Sequence, residues 1–162
     1  MLKNSRTKIT ARSGRAEVVV TREFNAQREA VFKAYTDPRL YIQWQGPRGA
    51  TITLERFEPR NGGTWRYVQR DGDGRAVPFH GVYHEVTAPE RIINTFEFFG
   101  LTGKGHACLQ TSRFEPLPDN RTRLTAQAVF QSVADRDGLL RFGLERSAND
   151  SHERLDELLA KL

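Results

Sequence analysis

The sequence predicts an α+β domain: a curved antiparallel sheet of about six or seven strands in meander order, two short helices after the first strand, and a long C-terminal helix. Three observations predict it. Between Thr51 and Phe130, short β-rich runs alternate with turns rich in Gly, Pro, Asn and Asp. Residues 30–44 instead carry apolar side chains at helical spacing, interrupted by Asp37-Pro38. From Ser132 onward the spacing is helical again.

In chain order, Glu17–Phe24 reads as a strand rich in β-branched residues. Asn25 is expected to cap the helix that follows, whose apolar stripe is Ala30, Val31, Ala34 and Tyr35. Asp37 caps a second short helix carrying Leu40, Tyr41 and Trp44, which Gly46-Pro47 ends. Thr51–Phe57 alternates, with Ile52, Leu54 and Arg56 on one face. Asn61-Gly62-Gly63 turns into Thr64–Val68, and Asp71-Gly72-Asp73-Gly74 turns into a strand over Val77–Val86. Strands over Ile92–Phe99, His106–Phe114 and Arg121–Phe130 follow, and Gly100–Gly105 is the loop that would have to move to admit a ligand.

In the last segment Leu140, Leu144, Ser147, Ala148, Ser151, Leu155, Leu158 and Leu162 share one face of a single long helix. Its middle is small: Ser147, Ala148 and Ser151. Against a curved sheet, small residues there leave a gap. Either that gap is a pocket, or large sheet residues such as Trp65 or Phe98 fill it; the sequence leaves both open.

The 162 residues fit one domain, and no apolar run is long enough to span a membrane. Nothing after the basic N-terminus resembles a secretory signal, and the lone Cys108 fits a reducing cytoplasm. The net charge of +5 is confined to residues 1–15, which hold Lys3, Arg6, Lys8, Arg12 and Arg15 and no acid. Residues 16–162 carry twenty basic and twenty acidic side chains. The expected organisation is therefore a basic disordered tail over 1–15 and a folded domain over 16–162, with nucleic acid not expected as a partner.

Chemical motifs are sparse. His80 and His84, four apart in a strand, stand about 13 Å from each other, too far for one metal. The Asp71 turn has Val82 where a calcium loop needs Glu. Phosphate-loop and serine-nucleophile signatures are lacking, and Cys108 carries no mark of activation. No metal, cofactor or catalytic residue is assigned. Glu55, Glu97, His80 and His84 would support an enzyme only if they pointed inward. The aromatic residues Trp44, Trp65, Tyr67, Phe79, Tyr83, Phe96, Phe98 and Phe142, with Ser147, Ala148 and Ser151, are the candidate lining of a small-molecule pocket. Arg66, Arg113 or Arg146 would then orient an anionic head group. An exposed sheet edge offers a route to a homodimer.

One resemblance runs over residues 17–160. It is carried by Thr21–Pro38, Trp44-Gln45-Gly46-Pro47, Gly62-Gly63-Thr64-Trp65, Phe79–Val86, Pro89–Ile93, Thr95–Phe98, and Asp135–Leu140 into Gly143-Leu144-Glu145. This pattern resembles the activator of Hsp90 ATPase homologue family, within the START-like (SRPBCC) superfamily, in a bacterial single-domain form. The resemblance implies a helix-grip fold whose cavity, between sheet and C-terminal helix, holds lipids, sterols, polyketides or other apolar molecules. It also implies two alternatives: a chaperone partner, bound as a cochaperone-like module would bind it, or an enzyme acting in the same cavity. Gln45 stands where a second Trp is common and Ser147 where Gly is frequent, so the pocket lining departs from the family pattern.

Overall fold

The computed structural model describes residues 6–98 and 105–162, and all but the side chain of Phe98 within them. Eight strands form one antiparallel sheet: β1 (Lys8–Thr10), β2 (Glu17–Phe24), β3 (Thr51–Phe57), β4 (Thr64–Arg70), β5 (Ala76–Thr87), β6 (Arg91–Phe98), β7 (Ala107–Leu117) and β8 (Arg121–Val129). Their spatial order is β1-β2-β8-β7-β6-β5-β4-β3. Strands β3 to β8 are a pure meander, and β8 returns to pair with β2, Val18 opposite Ala128 and Phe24 opposite Thr122. Between β2 and β3 lie α1 (Arg28–Thr36) and α2 (Pro38–Trp44); after β8 come α3 (Val133–Arg141) and α4 (Leu144–Leu159).

The core lies where the inner sheet face meets α1, α2 and α4. Phe24, Val31, Phe114, Leu124 and Leu155 are almost completely buried there. Phe114 meets Phe32 and Tyr35 edge-on at 5.2 and 5.1 Å. Asp37 caps α2 as expected, accepting from the Arg39 amide at 2.8 Å. Asp71 builds its hairpin turn by accepting from the Asp73 and Arg75 amides.

Four expectations are corrected. The C-terminal helix is two helices: at Gly143 the backbone turns left-handed (φ 105°), a conformation that glycine adopts without a β-carbon clash, and α4 starts anew. The inward stripe accordingly breaks, and Leu162 is largely exposed. Asn25 caps nothing; Gln27 precedes α1 without a side-chain cap, and Asn25 Oδ1 accepts from Arg121 Nε at 3.0 Å. In β3 a bulge between Leu54 and Arg56 swaps the faces, so Phe57, not Arg56, packs inward beside Tyr41 and Tyr83.

The fourth correction concerns the N-terminal segment expected to be disordered over 1–15. Lys8–Thr10 add an edge strand to β2, Ile9 opposite Val20. Behind it, the buried guanidinium of Arg136 donates to the backbone carbonyls of Arg12 and Arg15 and pairs with Asp137. Thr7 is held too: its hydroxyl lies 2.7 Å from His152 Nδ1 on α4, and Arg22 reaches it while pairing with Asp156 at 2.6 Å. The Gly100–Gly105 loop, expected to govern ligand admission, lies outside the described residues except for Gly105.

Candidate functional site

Because side chains alternate across a strand, every second residue of β4 to β8 faces the helices. On β4 these are Trp65, Tyr67 and Gln69; on β6, Ile92, Asn94 and Phe96; on β7, Cys108, Gln110 and Ser112; on β8, Leu124, Ala126 and Ala128. Together with one face of α4 and the α3–α4 junction they enclose a cavity of about 800 Å³. The space exists because small residues oppose small residues. Ala126 and Ala128 on the sheet and Ser147 and Ala148 on α4 all border it.

Aromatic rings form one wall. Trp65 stacks on Tyr67 (5.4 Å, 24°) and on Phe96 (6.0 Å, 27°), and Phe79 continues the series beside Phe96 (5.4 Å, 30°). Trp44, at the end of α2, is fixed by donating its indole N–H to the Ala34 carbonyl at 2.9 Å. The indole N–H of Trp65 is buried and has no hydrogen-bond partner among the described residues. Gln45 donates to the Tyr67 hydroxyl at 3.3 Å. Burial pushes the Tyr67 phenol up to about 12 and those of Tyr35, Tyr41 and Tyr83 upward as well. All four stay neutral at physiological pH.

Of the residues expected to line a pocket, Trp44, Trp65, Tyr67, Phe79, Tyr83, Phe96, Phe142, Ser147, Ala148 and Ser151 border this one cavity. Phe98 pairs with Phe79 in the backbone register, but its side chain lies outside the described residues. Ser151 does more than leave room. Its hydroxyl accepts from the Gly46 amide at 2.9 Å and faces the Gly46 carbonyl at 3.2 Å, bolting α4 to the α2–β3 turn. Phe142 stands at the rim, substantially exposed.

Glu55, Glu97, His80 and His84 do not border the cavity. Glu55 pairs with Arg66 at 2.6 Å on the outer face, and Glu97 accepts from the Gly105 amide and lies 3.1 Å from His80. Of the three arginines considered for an anionic head group, only Arg146 reaches the cavity, at its rim, 3.8 Å from Asp150.

Sequence reasoning missed His152, Asn94, Gln110 and Ser112, all of which border the cavity. The strand residues carried a signal: each is a polar residue in register with apolar ones on the inward face, Asn94 between Ile92 and Phe96, and Gln110 and Ser112 between Cys108 and Phe114. His152 is neutral; burial, with the Arg22 charge adding to it, pulls its imidazole down to about 3. Cys108 is inert, its thiol pushed up to about 12 by burial.

A curved antiparallel sheet gripping a C-terminal helix over a ring-lined cavity defines a helix-grip domain. The chain belongs to the family of Activator of Hsp90 ATPase homolog 1-like proteins, whose sequence profile matches residues 25–160. Similar in fold are protein Ms6760 from Mycobacterium smegmatis (TM-score 0.86, 21% identity, 95% of this chain and 96% of that one) and a protein from Arthrobacter aurescens (TM-score 0.85, 24% identity, 96% and 92%). The AHSA1 protein from Silicibacter pomeroyi is also similar (TM-score 0.74, 23% identity, 90% and 99%). No curated protein matches the sequence. Among the described residues no helix is long and apolar enough to cross a membrane.

Proposed function

We propose that this protein binds a small apolar or amphipathic molecule between its sheet and α4 without transforming it. The observation that carries the reading is the cavity of about 800 Å³, within the range of small-molecule sites, left by Ala126, Ala128, Ser147 and Ala148 and walled by stacked rings. Burial of apolar ligand surface, worth about 25 cal/mol per Å², would drive binding. The buried, unactivated Cys108 is consistent with a reducing cytoplasm as its site of action.

Thermal denaturation against fatty acids, sterols and polycyclic aromatics, with tryptophan fluorescence in parallel, tests this. A ligand at a hundred times its Kd adds about 2.7 kcal/mol of stability, an upward shift of roughly 5–10 °C for a domain of this size. A shift with altered tryptophan emission supports the reading; no shift across the panel overturns it.

A second reading, a cochaperone-like interaction module, is favoured by one feature of the outer face. Leu109 and Val129 are cross-strand partners there, Thr95 lies opposite Leu109, and Val82 is tied to Thr95 Oγ1 through its amide. Val82, Leu109 and Val129 are all exposed, an apolar strip of the kind protein partners cover. Retention of a bacterial Hsp90 on immobilised protein, lost on Leu109→Glu, would support it; no retention of purified Hsp90 would dismiss it.

A further inference from the structure

The two C-terminal helices are held to the sheet in different ways. α4 buries Ser151, His152, Leu155, Leu158 and Leu159, whereas the buried residues of α3 are Arg136 and Gly138. The apolar side chains of α3, Val133, Leu139 and Leu140, are only half-buried, and Gly138 lowers its helical propensity. Most helical stability comes from a packed apolar face, so a helix without one depends on polar ties.

Those ties lie towards its N-terminal end. Ser132 caps it by accepting from the Asp135 amide at 3.0 Å, and Asp135 Oδ1 lies 2.9 Å from His106 Nδ1, just before β7. The buried Arg136 guanidinium donates to the backbone carbonyls of Arg12 and Arg15, bonds strengthened by its charge. The other end of α3 faces the cavity: Leu139, Arg141 and Phe142 border it, and the left-handed Gly143 follows.

The carbonyls that Arg136 holds belong to a segment anchored elsewhere. Ile9 pairs with Val20 across β1 and β2, and the Thr7 hydroxyl meets His152 Nδ1 on α4 at 2.7 Å. Residues 7–15 therefore form a strap, fixed to β2 and α4 at one end and holding α3 at the other. Between the two helices stands Gly143, whose backbone reaches angles closed to other residues, as a hinge requires. Arg141, Phe142 and Arg146 at this junction are exposed and border the cavity, so the width of its mouth follows from where α3 lies.

Resting on the cavity reading above, we infer that α3 is a gate to the cavity, hinged at Gly143 and latched by the N-terminal strap through Arg136. With the Arg12 and Arg15 carbonyls engaged, the gate is shut. When the strap lets go, Leu139 and Phe142 swing off the rim and the contents of the cavity exchange. The leucines of α4 stay in the core throughout. The latch thus sets how fast a ligand enters and leaves, and not how tightly it is held.

Stopped-flow fluorescence of the full chain with N-phenyl-1-naphthylamine, a neutral apolar probe, tests this. Two variants release the latch from opposite sides: Arg136→Gln on α3, and Ile9→Asp, which unpins the strap from β2. Neither residue borders the cavity, and either variant suffices if the other folds poorly. In each, association and dissociation rates are expected to rise together by about tenfold, the effect of losing one charge-assisted hydrogen bond, while Kd changes less than about twofold. Amide hydrogen exchange in the parent is expected to be faster over Leu139–Phe142 than over Leu155–Leu159, and faster still over Leu139–Phe142 in both variants. If the variants alter Kd through dissociation alone, or leave both rates as they were, α3 is not a gate and the cavity reading stands. Equal protection of the two segments in the parent overturns the inference without any probe. If the parent does not bind the probe, the cavity reading and this inference fall together.

Discussion

The indole of Trp65 occupies space that only the missing side chain of Gly81 leaves free. The two residues are cross-strand partners on β4 and β5, and a β-carbon on Gly81 would stand 2.7 Å from Trp65 Nε1 and 1.9 Å from the Thr95 carbonyl oxygen. The aromatic wall of the cavity therefore depends on a glycine outside the cavity.

Gly81→Ala is expected to be strongly destabilising, by about 2 kcal/mol or more, since the clash is with backbone and a packed ring. Chemical denaturation gives the size of the loss, and the tryptophan emission of the native state should change with it. A variant within about 0.5 kcal/mol of the parent would show that the sheet yields there.

Ser151→Ala should loosen the joint between α4 and the α2–β3 turn. It removes the acceptor of the Gly46 amide, and a buried donor left alone costs about 1–3 kcal/mol. Hydrogen exchange should quicken at Gly46 more than in the distant strands; uniform protection would argue against a local bolt.

His152 makes stability depend on acid. Its folded imidazole titrates at about 3 and its unfolded one near 6.5, so below that pH the unfolded chain takes up a proton that the folded one refuses. Stability is thus complete above about pH 6.5 and falls as pH drops towards 3, by about 1.4 kcal/mol per unit from this group. His152→Gln should flatten that slope between pH 6 and 4, and an unchanged slope would assign the acid sensitivity elsewhere.

Cys108 should resist alkylation in the folded protein at pH 8, where its buried thiol, titrating at about 12, is almost wholly protonated. Iodoacetamide labelling in native buffer and in denaturant, followed by mass, should differ by orders of magnitude in rate. Comparable rates would mean that β7 opens readily.

Local sequence carried most of the fold. Strand runs, turn glycines and the Asp37 cap specify their own conformations within a few residues, so β4 to β8 and α2 were legible. What escaped depends on partners far along the chain. Lys8–Thr10 contains only one apolar residue, and its pairing with β2, together with the reach of Arg136 to Arg12 and Arg15, is visible only in three dimensions. The helical spacing from Leu140 to Leu144 runs across Gly143 without a break, and its left-handed backbone follows from the junction it makes. The small face of α4 pointed to the cavity, whereas Ser112 and Gln110 were passed over because a polar residue in a strand is usually on its wet side.

The sheet order also bears on how the protein is made. Each strand from β3 to β8 pairs with a strand next to it in the chain, and those hairpins are able to form as the ribosome delivers them. β2 is different: Glu17–Phe24 find their partners in Thr122–Val129, about a hundred residues later. During synthesis the stretch Glu-Val-Val-Val-Thr-Arg-Glu-Phe therefore waits with an unpaired edge, for about 5–20 s at usual elongation rates. The nascent chain is most exposed to misassembly in that interval, and most in need of a holding chaperone.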